Sequence, residues 1–96
     1  MQGYRILIVE DDPKMRDALQ YIMRKEGYGV DAVGEGESAL EKLKATDYEL
    51  IISDLKLPGM DGMDVLRAAK KYKPYVGVIV ITAYGTIDSA VVAMKS

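Results

Sequence analysis

The sequence predicts an α/β fold in which an open parallel β-sheet carries helices on both faces. Short apolar runs alternate along the 96 residues with segments whose apolar residues recur at helical spacing. Three of the four apolar runs are rich in Ile, Val and Leu with little polar alternation, as in strands that are covered on both faces. Four strand–helix units in succession predict right-handed crossovers, and therefore parallel strands.

The four predicted strands are residues Arg5–Val9, Gly29–Val33, Leu50–Ser53 and Val76–Ile81. Each predicted helix has apolar residues on one face. These sets are Met15, Ala18, Leu19, Ile22 and Met23; Ala39, Leu40 and Leu43; Met63, Leu66 and Ala69; and Ile87, Ala90, Val91 and Met94. Asp12-Pro13 is a typical helix start, Gly27 is a typical stop, and Thr86 is the predicted N-cap of the fourth helix.

Composition excludes several classes of function. The formal net charge is −2, so direct binding of DNA or RNA by this domain is not expected. The chain has no Cys and no His, which excludes disulfides, thiolate or imidazole zinc sites and Ser-His catalysis. No apolar run approaches membrane-spanning length and the start does not resemble a signal peptide, so we expect a cytoplasmic location without membrane contact.

Polar residues follow three of the predicted strands, where ligands of open α/β sheets bind. Glu10–Asp12 follow the first strand, Asp54 follows the third, and Thr82 and Ala83 follow the fourth. If the first and third strands are neighbours, the acids converge, and their mutual repulsion then requires a cation. Oxygen ligands without His or Cys favour Mg²⁺ or Mn²⁺.

Such a site suits phosphoryl chemistry. One carboxylate of the cluster can act as a nucleophile and form an acyl phosphate. The Thr82 hydroxyl and the adjacent backbone amide of Ala83 can hold a phosphoryl oxygen. Taken singly, each feature has a simpler interpretation: the acidic triplet as a helix cap, Asp54 as a turn residue, and Thr82 as a strand-end residue that bonds to the backbone. The six methionines lie mostly on apolar helix faces and are interpreted as core residues.

Three separated motifs resemble the signatures of bacterial response-regulator receiver domains, in the same order and spacing. They are Ile8–Pro13 (IVEDDP), Ile52–Gly62 (ISDLKLPGMDG) and Val80–Ala83 (VITA). The resemblance covers the whole chain as one domain, residues 1–96, and implies a flavodoxin-like fold with strand order 2-1-3-4. The segments Gly85–Ala90 and Ala93–Ser96 resemble more narrowly the receivers of nitrogen-regulation-type transcription activators.

The resemblance also implies residue roles. Asp54 is the expected phosphoacceptor, Asp11 a direct Mg²⁺ ligand, and Glu10 a ligand mainly through water. The backbone carbonyl of Lys56 is a further expected metal ligand, and Thr82 is expected to bind the phosphoryl group and to move when it arrives. Asp12 is interpreted as a helix cap.

Tyr84, two residues after Thr82, is expected to flank the acyl phosphate and to slow its loss. The alternative is that Tyr84 only packs at the surface. The rate of dephosphorylation of Tyr84→Ala distinguishes the two interpretations.

The implied function is signalling: a partner histidine kinase donates phosphate, and the face around Thr86–Met94 changes to control an output domain or target. The family pattern continues after the position of Ser96 with a fifth strand and helix, a lysine that pairs with the phosphoryl group and an aromatic that switches rotamer. No residue of this chain can be assigned to these roles, which predicts a fragment, an engineered truncation or a chain whose missing elements a partner supplies. We therefore expect impaired phosphorylation and an exposed edge at Val76–Ile81 that favours dimers, domain swapping or aggregation.

Two other functions stay open. An Mg²⁺-dependent phosphatase with an aspartyl nucleophile usually carries a second acid two residues after the nucleophile, where this chain has Lys56. This difference favours a receiver that is not an enzyme. A scaffold whose acids no longer function is the third alternative, and the complete set of Asp11, Asp54 and Thr82 argues against it.

Overall fold

The structure is a computed structural model that describes residues 4–81. The strands are β1 Arg5–Val9, β2 Gly29–Val33, β3 Leu50–Asp54 and β4 Gly77–Ile81, and the helices are α1 Pro13–Lys25, α2 Gly36–Ala45 and α3 Gly62–Tyr72. The predicted helix over Ile87–Met94, the capping residue Thr86 and the site residues Thr82, Ala83 and Tyr84 lie outside the described residues.

Two strand boundaries differ from the sequence prediction. β3 extends by one residue to Asp54, which pairs with Ile81 of β4. β4 begins at Gly77 rather than at Val76, because the Val76 amide donates to the Lys73 carbonyl at 3.0 Å in the turn after α3. The Val76 side chain is nevertheless buried, which explains why it belongs to the apolar run in the sequence.

The four described strands are all parallel and lie in the order β2-β1-β3-β4. This confirms the flavodoxin-like order. In the register, Val9 of β1 is opposite Val33 of β2 on one side and Ser53 of β3 on the other. The carboxyl ends of the three strands are therefore level with one another, and the loops that follow them share one edge of the sheet.

Side chains of β1 alternate between two apolar layers, as the period of a strand requires. Leu7 and Val9 face the larger layer, which is closed by residues of α2 and α3 including Leu43, Val65 and Leu66. The other layer lies against α1 and contains Ile6, Ile8, Val30 and Ile52, with Leu19 and Met23 packed on it. Helices on both faces of the sheet are thus confirmed.

Local chemistry fixes the helix ends. The side chain of Asp12 caps α1 by accepting a hydrogen bond from the Lys14 amide at 3.1 Å, and Pro13 is the first helical residue, as predicted. Gly27, just past the end of α1, has φ of 96°, a conformation that favours glycine. Asp61 and Asp64 form a reciprocal capping box at the start of α3.

Strand β4 forms one edge of the sheet that the described residues make. Association of two chains through this edge stays a prediction. Within residues 4–81, no helix combines the length and the apolar composition that crossing a membrane requires.

Candidate functional site

The candidate site lies where β1 and β3 end side by side. Asp54 is the last residue of β3, and Glu10 directly follows β1. The Glu10 amide continues the ladder to β2 by donating to the Val33 carbonyl at 3.0 Å. The backbone that carries the first acid is therefore held by the sheet, and the loop turns into α1 immediately afterwards.

Three carboxylates converge at this edge. Glu10, Asp11 and Asp54 each offer an oxygen atom, and these atoms all lie within 4.8 Å of one another. Glu10 and Asp54 are half-buried, whereas Asp11 is exposed. The structure thus brings together three of the acids that the sequence singled out. Their role as metal ligands stays a prediction.

Crowding is visible in the electrostatics of Glu10. Burial raises the pKa of Glu10 above its ordinary value of 4.5, and the neighbouring Asp54 and Asp11 carboxyls raise this pKa further. The Asp12 amide, which donates to Glu10 Oε2 at 3.1 Å, opposes the shift. The charged form of Glu10 is therefore disfavoured in this cluster.

A divalent cation would remove this repulsion. Because the donors are carboxylate oxygens, the set fits a hard cation such as Mg²⁺, which binds through a few carboxylates and keeps several waters. The residues that would hold it are Glu10, Asp11 and Asp54, with the backbone carbonyl of Lys56 as a further candidate.

Asp54 and Lys56 lie at the start of the loop between β3 and α3. The Lys56 amide donates to Asp54 Oδ1 at 3.3 Å, and Lys56 is exposed. The Leu55 amide donates to the Ile81 carbonyl at 2.7 Å, and the Leu55 carbonyl accepts from the Gly62 amide, also at 2.7 Å. The loop is therefore closed on itself just after the acid.

Glycines position this loop, a role that sequence reasoning missed. A Cβ on Gly62 would lie 2.5 Å from the Asp54 carbonyl oxygen, so only glycine lets α3 begin this close to the strand end. A Cβ on Gly36 would lie 2.1 Å from Met60 Cγ, so the Met60 side chain occupies the space above the start of α2. In the sequence, the pair Asp61-Gly62 indicates a turn and does not report this close approach.

Arg16 is the second missed residue. Helical periodicity puts it on the polar face of α1, yet its Nη1 donates to the Glu10 carbonyl at 3.0 Å. Asp12, in contrast, is the helix cap that the sequence predicted, and its carboxylate is outside the three-acid cluster found within residues 4–81.

Comparison with known proteins decides the family. The model of the response regulator receiver domain matches residues 6–96, which is nearly the whole chain. The chain is a response-regulator receiver domain. The resemblance carried by the three sequence motifs is thereby confirmed.

Relatives of this receiver are named as transcriptional regulatory proteins or as response regulators. It is 37% identical over 91 residues to the transcriptional regulatory protein ZraR of Klebsiella oxytoca, and the match covers 95% of this chain and 20% of that protein. It is 40% identical to the response regulator protein FleR of Pseudomonas aeruginosa, with 95% and 19% coverage. The chain thus spans about a fifth of the length of these two relatives. Relatives of this kind agree with the narrower resemblance to nitrogen-regulation-type transcription activators.

Solved structures agree on the fold. The response regulator TrrA of Thermotoga maritima, crystallised in complex with Mg²⁺-BeF, superposes with a TM-score of 0.83 at 36% identity, covering 94% of this chain and 80% of that one. A chain from the complex of histidine kinase ThkA with TrrA gives a TM-score of 0.80 at 37% identity, covering 86% and 72%. Both neighbours come from structures that contain the response regulator TrrA, so the fold of this chain agrees with that of a response-regulator receiver.

Proposed function

We propose that this receiver accepts a phosphoryl group on Asp54 in an Mg²⁺-dependent reaction, with a sensor histidine kinase as the donor. The observation that carries the proposal is the convergence of the Glu10, Asp11 and Asp54 carboxylates within 4.8 Å at the end of β1 and β3. The similarity to TrrA, which is described in complexes with Mg²⁺-BeF and with a histidine kinase, supports the cation and the partner.

Each residue has a distinct part in the proposed reaction. A carboxylate oxygen of Asp54 attacks the phosphorus of the donor phosphohistidine, an acyl phosphate bond forms, and the P–N bond breaks with its electron pair left on the imidazole. Glu10, Asp11 and Asp54 would hold the divalent ion, with the Lys56 carbonyl as a further ligand. When bound, the ion neutralises charge on the phosphoryl oxygens. Thr82 and the Ala83 amide bind a phosphoryl oxygen.

The half-buried position of Asp54 supports its role as nucleophile. Its Oδ1 accepts a hydrogen bond from the Lys56 amide, which orients the carboxylate at the mouth of the loop. The adjacent Ser53 is fully buried, and its hydroxyl donates to the Asp54 carbonyl at 3.1 Å. This hydrogen bond restrains the backbone of the proposed nucleophile. The side chain of Asp54 is thus held by a backbone amide, and its backbone carbonyl by a side-chain hydroxyl.

The proposed role is that of a signalling module and not of a turnover enzyme. Phosphorylation would change the surface around Thr86–Met94 and thereby control an output domain or target protein, most simply one that regulates transcription. The Lys56 position, where aspartyl phosphatases usually have an acid, supports this distinction.

Intact-mass analysis after incubation with acetyl phosphate tests the proposal. We expect the mass of one phosphoryl group to appear in the wild type with Mg²⁺, and to be absent without Mg²⁺ and in Asp54→Asn. Asp17→Asn is the matched control, because Asp17 is an exposed acid of α1 outside the cluster. Labelling that persists in Asp54→Asn, or continuous turnover of many phosphoesters, would contradict the proposed receiver function.

A further inference from the structure

The loop that carries Glu10 and Asp11 is tied down by a side chain from α1. Arg16 is half-buried, and its Nη1 donates to the carbonyl oxygen of Glu10 at 3.0 Å in a partly buried hydrogen bond. On the other side, the amide of Glu10 donates to Val33. The backbone of Glu10 is thus held at its nitrogen by the sheet and at its carbonyl by the guanidinium.

The carbonyl that Arg16 binds belongs to the peptide group joining Glu10 to Asp11. Because a peptide group is planar, fixing its oxygen and the preceding residue also fixes the direction in which Asp11 leaves the strand. A charge-assisted bond from a guanidinium is stronger than one between neutral groups. The one contact therefore orients both acids that follow β1.

The space for the guanidinium is provided by a glycine in the next loop. A Cβ on Gly34 would lie 2.9 Å from Arg16 Nη1 and 3.9 Å from the Glu10 carbonyl oxygen. The positive φ angles found among the described glycines belong to Gly27 and Gly59, so Gly34 is compatible with a side chain in its backbone conformation. What glycine provides at position 34 is room for the end of the arginine.

We propose that Arg16 is a positioning residue of the metal site, whose bond to the Glu10 carbonyl arranges Glu10 and Asp11 for a divalent cation beside Asp54. This inference rests on the proposed function. The expected effect of Arg16 on Mg²⁺ affinity is opposite to the effect of its charge. Arg16 is a cation close to a cation site, so its charge alone would weaken metal binding. As a positioning residue it strengthens metal binding.

Titration calorimetry with MgCl₂ alone separates the two roles. We expect Arg16→Gln to weaken Mg²⁺ binding by about tenfold, the lower end of the effect of losing a residue that orients metal ligands. Arg24→Gln is the matched control. Arg24 is on the same helix and its Nη2 also donates to a backbone carbonyl, that of Val30 at 3.2 Å. We expect the Mg²⁺ affinity of Arg24→Gln to stay within about twofold of the wild type.

A second variant disturbs the contact without removing the charge. In Gly34→Ala the new methyl group displaces only the flexible end of Arg16, so the fold should tolerate it while Mg²⁺ affinity falls in the same direction. The double variant should bind no more weakly than Arg16→Gln, because both changes break one contact. Urea unfolding without metal checks that each variant is folded. If Arg16→Gln does not fold, the Mg²⁺ affinity of Gly34→Ala tests the contact instead.

The outcomes distinguish this inference from the proposed function. Equal or tighter Mg²⁺ binding by Arg16→Gln, or additive losses in the double variant, would overturn the positioning role alone. Binding by the wild type that is lost in Asp11→Asn establishes the metal site itself. A wild type that does not bind Mg²⁺ would overturn the proposed function and this inference together.

Discussion

Replacing Gly62 by Ala tests how closely the start of α3 approaches the end of β3, where Asp54 lies. The added Cβ would lie 2.5 Å from the Asp54 carbonyl oxygen and 2.8 Å from the Leu55 Cα. Both are backbone atoms, so no side chain can turn aside to relieve the overlap. Restoring ordinary contact requires the helix start and the strand end to separate by roughly 0.5–1 Å.

Two losses of stability follow from that separation. Overpacking against a rigid neighbour costs about 1–3 kcal/mol. The hydrogen bond from the Gly62 amide to the Leu55 carbonyl, now 2.7 Å, is lengthened, which costs up to about 1 kcal/mol. The better helix propensity of alanine offsets at most about 1 kcal/mol. We therefore expect the free energy of unfolding to fall by about 2–3 kcal/mol.

Urea denaturation followed by circular dichroism measures this loss. With a slope near 1.5 kcal/mol per molar, the midpoint should fall by about 1.3–2 M. Gly29→Ala is the control, since a Cβ there meets its nearest atom, Arg5 Cγ, at an ordinary 3.6 Å. Its midpoint should change by no more than about 0.5 M. If Gly62→Ala were as stable as Gly29→Ala, the close approach of α3 to Asp54 would be refuted.

Three further changes test other contacts. Gly36→Ala should lower the free energy of unfolding in urea by about 1–2 kcal/mol, because the new methyl group meets the Met60 side chain. Most of that loss should vanish in a Met60→Ala background, and equal losses in both backgrounds would contradict this contact. Tyr48→Phe removes the donor 2.6 Å from Asp31 Oδ2 and should cost about 1–2 kcal/mol at pH 7. That bond lowers the pKa of Asp31 below 3.8, so the stability that it gives is present above pH 3.8 and declines as the pH falls further. The difference in unfolding free energy between Tyr48→Phe and the wild type should therefore shrink at pH 3. A difference that stays constant with pH would show that the bond does not depend on the charge of Asp31. Glu10→Gln should raise the metal-free melting temperature at pH 7, because the raised pKa of Glu10 means that its charged form is disfavoured by folding once the pH exceeds 4.5. The same variant should gain less from added Mg²⁺ in a thermal melt than the wild type, and an equal gain would argue against Glu10 as a ligand.

Most of the fold was predictable because its signals are local. The apolar runs of β1 and β2 were predicted to the residue, and Asp12-Pro13 and Gly27 marked the ends of α1 correctly. The boundaries of β3 and β4 each differed by one residue. Pairing with Ile81 extends β3 to Asp54, and the turn bond of Val76 to Lys73 delays the start of β4; the apolar pattern reports neither contact. The strand order came from the family resemblance and not from the apolar pattern.

The candidate site was predictable only in part. Carboxylates that follow strands are visible in the sequence, and the pairing of β1 with β3 brings Glu10 and Asp11 to Asp54. The supporting contacts were not visible. Arg16 appears as one more charged residue on a polar helix face, and Gly62 as one more turn glycine, because their partners are backbone atoms of other segments.

The pairing of β1 with β3 has a consequence for when the proposed metal site can form during synthesis. These strands are neighbours in space, but α1, β2 and α2 separate them along the chain. A nascent polypeptide that has emerged only through residue 45 contains Glu10 and Asp11 but lacks β3 and Asp54. The proposed affinity for a divalent ion would therefore arise only when β3 pairs with β1 and brings Asp54 beside the two earlier acids.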